Sequence, residues 1–393
     1  MNRAPSLPRY APSGVPEGAD RRPFAQAGAG AAIRVMIVDD SLTVRTIFKR
    51  MVDSDPALVI VGTASSAERA IAQLAAEPAD VVLLDLEMPG IGGLDALPAI
   101  LATPGKPQVL VVSSLTVDGA EHTMSALQMG AADTLLKPRP GGFNEEYRAQ
   151  LLGKIRALGS RVGEQGAASA QAAEPSFVRA GPGHGLSKRS WRPEVVAIGA
   201  STGGIHALGL MLRQLGPGFD VPILITQHLP ASFMPVFARQ VEAACGRSAD
   251  IAADGMVLTP GRILIAPGHG HIVAQRKGVM LAVRISTEPA ASGCLPSVDP
   301  MLESLAVACE GRALGVILSG MGRDGVLGAK TLIDAGGTIY AQNADTSAVW
   351  GMPGAVARAG LASLIAPPER IGEAVVAQAA APAAPDSSLR AGR

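Results

Sequence analysis

The chain has 393 residues, 48% of them apolar, enough at about 150 residues per domain for two or three buried cores. Its 34 basic and 34 acidic side chains cancel, which argues against nucleic-acid binding, and an aromatic content of 3% argues against stacking on bases or sugar rings. Cys245, Cys294 and Cys309 form no CxxC pair, and no apolar run reaches the ~18 residues of a membrane helix, so the expectation is a cytoplasmic chain with reduced thiols and no membrane insertion.

Residues 1–32 are rich in Pro, Gly, Ala and Arg without an apolar period and are expected to form a disordered leader. From Ile33 the pattern changes. Apolar runs at 33–38, 59–62, 81–85, 109–113 and 134–136 alternate with helical patterns at 43–52, 66–76, 94–101, 119–129 and 145–158. Five buried strands alternating with five helices predict a doubly wound parallel sheet of the flavodoxin-like kind over 33–158. Residues 159–192 read as a flexible linker. A second α/β block, Rossmann-like, is expected over 193–379, with strands at 195–198, 223–227, 262–266, 272–275, 280–285, 313–319 and 338–342. Helices are expected there at 205–215, 232–244, 299–309, 325–335 and 353–359, and a hairpin turn near Gly278. Residues 380–393, rich in Ala and Pro, read as a disordered tail.

In the first block the chemistry gathers at strand ends. Asp39 and Asp40 end the first strand, Asp85 the third, Ser113 the fourth, and Lys137 the fifth, ahead of Pro138. Parallel strands bring these ends to one edge. Clustered carboxylates repel one another unless a cation lies between them, and hard oxygen donors suit Mg²⁺. That arrangement fits Asp85 as a nucleophile toward phosphorus, with Ser113 and Lys137 holding phosphoryl oxygens. The plain alternative is a row of acids at helix N-termini, where Asp is common. Five groups at strand ends in order favour the site. The block resembles a response-regulator receiver domain. The resemblance implies that Asp85 is the phospho-acceptor, with Asp40, Asp85 and the Glu87 carbonyl around the metal and Asp39 close by. Two departures stand out: Gly92 where that family usually carries Asp, and Thr134 where many members carry an aromatic residue.

In the second block IGASTGG at 198–204 ends a strand and opens a helix, with Ser201 on a glycine-lined turn. As a dinucleotide loop it lacks the middle glycine of GxGxxG and the acid about 20 residues on. A reactive serine needs a base and an orienting acid. His228 ends the next strand and Asp324 lies on the strand-to-helix turn SGMGRDG at 319–325. The order Ser, His, Asp departs from the α/β-hydrolases. His206 is expected inside the following helix and turned away, and His269 and His271 to serve a loop. Cys294 and Cys309 are expected as small buried residues, and Asp299 as a helix cap.

The strings IGASTGG, TQHLP, SGMGRDG and AVWGMP, in this order behind a receiver-like block, resemble the chemotaxis protein-glutamate methylesterase (CheB) family. The resemblance implies hydrolysis of glutamate methyl esters on chemoreceptors, often with deamidation of receptor glutamines, under control of a chemotaxis histidine kinase as phosphodonor. It matches Ser201 to the nucleophile, His228 to the base and Asp324 to the orienting acid, with Thr202 and Met321 lining the site and the Met321 backbone as oxyanion donor. No cofactor is expected for the ester chemistry. Two rivals remain at this point, a hydrolase of small esters and a non-catalytic docking protein.

Overall fold

Short runs of valine, isoleucine and leucine form strands covered on both faces, as a parallel sheet between helical layers requires. The structure, a computed structural model, describes residues 32–114, 117–138, 142–168, 191–216 and 218–381. The leader, most of the linker and the tail expected from composition lie outside the described residues. In the first domain β1 (Ile33–Val38), β2 (Leu58–Ala64), β3 (Val81–Asp85), β4 (Gln108–Ser113) and β5 (Asp133–Leu136) alternate with α1 (Leu42–Asp53), α2 (Ala67–Ala76), α3 (Gly93–Leu101), α4 (Val117–Met129) and α5 (Glu145–Ala168). The strands are parallel in the order β2-β1-β3-β4-β5, the flavodoxin-like winding. Along β1, Val35 and Ile37 face the layer of Phe48, Leu151 and Ile155, while Met36 and Val38 face that of Leu74, Leu97 and Ile100. Helix α5 continues to Ala168, past Leu158 where the apolar pattern ends.

The second domain adds β6 (Val195–Ala200), α6 (Gly204–Leu212), β7 (Ile223–Gln227), α7 (Met234–Cys245), β8 (Ala249–Ile251) and β9 (Ile263–Ile265). A hairpin, β10 (His271–Lys277) and β11 (Met280–Ser286), is followed by α8 (Val298–Ala308), β12 (Ala313–Ile317), α9 (Val326–Asp334), β13 (Thr338–Gln342), α10 (Met352–Arg358), β14 (Leu364–Ala366) and α11 (Pro368–Ala379). Seven strands form a parallel sheet ordered β14-β13-β12-β6-β7-β9-β8, and the hairpin forms its own antiparallel pair. The sequence reading lacks β8, β14 and α11. The two strands are three residues each, too short to show a period, and α11 declares itself by Pro368 at its start and by buried Ile371 and Val375. Successive strands run outward in opposite directions from the β6/β12 boundary, so a crevice opens at their carboxyl ends there.

The two domains meet through α4, which packs on α6 and α7. Leu127 and Ala131 of the first domain share one buried apolar cluster with Ile205 and Leu208 of the second. Arg239 and Glu121 form an ion pair at 2.8 Å at the exposed rim.

Phe48 anchors α1 to the first sheet: it is 1% exposed, its ring is 6.0 Å from Phe143 at 74° and 6.4 Å from Tyr147 at 12°. Phe48→Ala should destabilise the first domain by about 3–5 kcal/mol, read as an earlier urea transition of near-ultraviolet circular dichroism in the full chain.

Candidate active site and phosphoryl-acceptor site

Ser201 follows β6 at the crevice. Its N–H donates to the Ser319 carbonyl at 3.0 Å, and the Gln227 side-chain amide donates to its carbonyl at 2.9 Å. The turn then needs Gly203: φ is +75°, and a Cβ there would lie 2.4 Å from the Ala348 Cβ and 2.7 Å from Ser319 Oγ. His228 follows β7, its N–H donating to the Ala200 carbonyl at 3.1 Å. The segment carrying AVWGMP braces the far side, with the Gly320 N–H donating to the Val349 carbonyl at 3.0 Å and the Met352 N–H to the Gly320 carbonyl at 2.8 Å. Ser319 donates its hydroxyl to the Thr202 carbonyl at 2.7 Å. A Cβ on Gly320 would meet the Ser201 Cβ at 2.9 Å, which places the next residue, half-exposed Met321, beside the serine turn.

At the carboxyl edge of the first sheet the five expected groups also converge. Ligand-type oxygens of Asp39, Asp40 and Asp85 lie within 4.8 Å of one another. Lys137 Nζ is 2.5 Å from Asp85 Oδ2 and 3.0 Å from Asp39 Oδ2. Burial raises the Asp85 pKa and the Asp39 charge adds to that, with Lys137 pulling the other way. Among the described residues the buried Asp39 Oδ2 has no well-aligned hydrogen bond, and Lys137 Nζ at 3.0 Å offsets its charge. Ser113 Oγ is likewise buried without a hydrogen bond among the described residues. The Glu87 N–H donates to Asp85 Oδ1 at 3.1 Å, and its side chain accepts from Ser114 Oγ at 2.7 Å. Arg45 fixes the β1–α1 loop by donating to the carbonyls of Asp39 and Asp40 at 2.5 and 2.8 Å. Gly92 caps α3 without a side-chain hydrogen bond, so the capping bond that an aspartate could make at this position is absent here. Hard carboxylate oxygens with one buried oxygen lacking a hydrogen bond fit a divalent cation such as Mg²⁺.

The first domain closes over Ser201. The end of α4 and the start of β5 supply Leu127, Ala131, Ala132 and Asp133, which with Ser201, Gln227 and His228 enclose a cavity of about 10 Å³, room for about one water. Thr202 Oγ1 donates to Asp133 Oδ2 at 2.5 Å and the Gly203 N–H to the Ala132 carbonyl at 2.5 Å. His206 Nδ1–H donates to the Gln128 carbonyl at 2.7 Å, so this histidine is an interdomain tie and not a base. Asp133 is a residue that sequence reasoning missed. It also accepts from Lys154 Nζ of α5 at 2.6 Å, and no local pattern marks its second role.

Asp324 is the most heavily bonded carboxylate of the second domain's crevice. Oδ2 accepts from His228 Nε2–H at 2.8 Å and the Val298 N–H at 2.7 Å, and Oδ1 from Ser297 Oγ at 2.6 Å, the Gly325 N–H at 3.1 Å and the Asp299 N–H at 3.4 Å. Burial would raise its pKa, but these donors hold it well below the carboxylate range. Asp299 does not cap its own helix: its Oδ1 accepts the Gly328 N–H at 2.8 Å, and burial and Asp324 raise its pKa. Buried His271 accepts the Ser297 N–H at Nδ1, 2.8 Å, and donates Nε2–H to the Glu288 carbonyl at 2.9 Å, the loop role expected of it. Cys309 is fully buried, as expected. Cys294 departs from that expectation: it is only partly buried and lies in the His228–Asp324 cluster. Ser201 and His228 line the same cavity. Burial disfavours the His228 imidazolium, yet Asp324 and Cys294 outweigh it and hold the pKa at about 9. An NMR titration of the metal-free chain should place the His228 midpoint near 9, and Asp324→Asn, which removes the charge favouring the protonated ring, should move it down.

Comparison with known proteins finds relatives for both domains. Residues 196–375 match the CheB methylesterase family model and residues 35–142 the response regulator receiver domain model. A protein-glutamate methylesterase/protein-glutamine glutaminase of Azospirillum brasilense is 37% identical over 93% of this chain and 95% of its own length. The protein-glutamate methylesterase/protein-glutamine glutaminase 2 of Caulobacter vibrioides is 40% identical over 88% of this chain and 99% of its own. Similarity that runs through both domains, at this identity and over nearly the whole of each relative, shows that the chain belongs to the CheB methylesterase family.

Proposed function

We propose that this chain removes methyl groups from glutamate methyl esters of chemoreceptors in the cytoplasm, releasing methanol, and that phosphorylation of Asp85 by a chemotaxis histidine kinase relieves a block held by the first domain. The observation that carries the reading is the crevice at β6/β12, where Ser201 and His228 share one cavity and His228 is bonded to buried Asp324.

With Nε2–H held by Asp324, Nδ1 is the nitrogen left to take the Ser201 proton as the hydroxyl attacks the ester carbonyl. That bond forms as substrate enters, and the imidazole must first shed its resting proton. The Met321 N–H is the proposed donor to the tetrahedral oxyanion, with Thr202 lining the same turn. Protonated His228 then gives its proton to departing methanol, and water attacks the acyl-serine by the reverse route. The same steps on a primary amide release ammonia, which is how one site would serve the two activities in the relatives' names.

Asp39, Asp40 and Asp85, with the Glu87 carbonyl, are the proposed holders of Mg²⁺. When bound, Mg²⁺ supplies positive charge that offsets the incoming phosphoryl group. Asp85 attacks the phosphorus of the kinase's phosphohistidine, the P–N bond breaks and the donor imidazole leaves, while Lys137 and Ser113 hold the transferred oxygens. A phosphoryl group on Asp85 competes for Lys137, which leaves β5 by its far end while Asp133 at the near end holds Thr202. Tenfold activation needs only ~1.4 kcal/mol of differential contact.

Ser201→Ala should abolish methanol release from methylated receptor membranes; full retained activity removes Ser201 from the mechanism. Asp85→Asn should leave basal turnover in place and lose stimulation by acetyl phosphate. Asp133→Ala, which frees Thr202, should raise basal turnover by a few-fold toward the stimulated rate. Unchanged basal turnover in that variant rules out this contact as the latch.

A further inference from the structure

The His228–Asp324 pair has a third neighbour that the ester chemistry does not use. One atom each of His228, Cys294 and Asp324 lies within 4.8 Å of the other two. Imidazole nitrogen, thiolate sulfur and carboxylate oxygen form a donor set that suits Zn²⁺, which binds N and S ligands at about 2.0–2.3 Å in a tetrahedron. Ligand atoms in such a tetrahedron stand about 3.5 Å apart, so small side-chain shifts close the set.

The surroundings favour that closure. Ser297, Gly325 and Asp299 hold Asp324 Oδ1, and the Val298 N–H steadies Oδ2 where it faces His228, the outer-shell support that orients a metal ligand. Cys294 lies between β11 and α8, outside regular structure, with its sulfur 4.0 Å from the Ser292 carbonyl and facing the His228 imidazole. The residue is only partly buried, in a loop that leaves room for side-chain adjustment. Three protein ligands leave the fourth tetrahedral position open to water.

We propose that His228, Cys294 and Asp324 form an inhibitory site for Zn²⁺ superimposed on the catalytic residues. Binding releases the thiol proton and the proton shared by His228 and Asp324 to the buffer, and no oxidation or reduction takes place. The metal occupies the imidazole and the carboxylate together, so His228 can neither accept the Ser201 proton nor be oriented by Asp324. The inhibition rests on the esterase reading; the binding does not.

The test uses the full chain, stripped of metal, with excess Mg²⁺ to cover the carboxylates of the first domain. Co²⁺ is the spectroscopic probe. One equivalent should give a thiolate-to-cobalt charge-transfer band that Zn²⁺ removes, that Cys245→Ala retains, and that Cys294→Ala and Cys294→Ser both lack. Ester turnover, taken for each variant as a fraction of its own metal-free rate, should be inhibited by Zn²⁺ and restored by EDTA. Either Cys294 substitution should weaken that inhibition by about tenfold or more. No thiolate band, a band that survives loss of Cys294, or equal inhibition of all variants overturns the proposal. A Cys294-dependent band in a chain with no esterase activity upholds the metal site and overturns the function proposed above.

Discussion

The second domain is organised around the need to satisfy one buried negative charge. Asp324 is 2% exposed, and a carboxylate taken out of water is costly unless its oxygens are met by donors. Three come from backbone N–H groups at the starts of α8 and α9, where unpaired donors and the helix dipole favour a negative charge. The other two are Ser297 Oγ and the His228 imidazole. Satisfying that charge pulls the β11–α8 loop, the β12–α9 turn and the end of β7 to one point, and so brings His228 to the crevice that holds Ser201. The Asp324 carboxylate, with Cys294, in turn raises the proton affinity of the imidazole that it orients.

Strand β5 joins the two edges. Its carboxyl end leads to Lys137, held between Asp39 and Asp85, and its first residue, Asp133, bonds Thr202 in the turn next to Ser201. With Thr134 in place of an aromatic side chain, a swinging ring is not available at that point; its hydroxyl is buried without a hydrogen bond among the described residues. The physical link is instead a short rigid strand with an ion cluster at one end and an interdomain hydrogen bond at the other. The apolar contact of Leu127 and Ala131 with Ile205 and Leu208 supplies a seal, while Asp133 and Ala132 fix its register.

Both sheets were legible in the sequence because strands buried on two faces require unbroken apolar runs, and such runs are local. The ends of those runs carried the chemistry, so Ser201, His228 and Asp324, and likewise Asp39, Asp85 and Lys137, could be assigned to edges before any coordinates. Where the signal failed, it failed for want of length or locality. Strands β8 and β14 are too short to show alternation. Asp299 has the spacing of a cap but turns to the Gly328 N–H of another helix. Cys294 reads as a small buried residue until an irregular loop sets it beside His228.

The amino-acid order by itself determined two parallel α/β domains, the strand ends that bear reactive groups, and the family those groups resemble, because periodicity and strand-end placement are properties of neighbouring residues. Only the tertiary structure decided that Asp133 holds Thr202, that the first domain leaves room for about one water over Ser201, and that Cys294 joins the His228–Asp324 pair. Those contacts join residues tens of positions apart through loops and a domain interface, and their partners are chosen by packing and by the demand of buried polar atoms for hydrogen bonds, which no local pattern encodes.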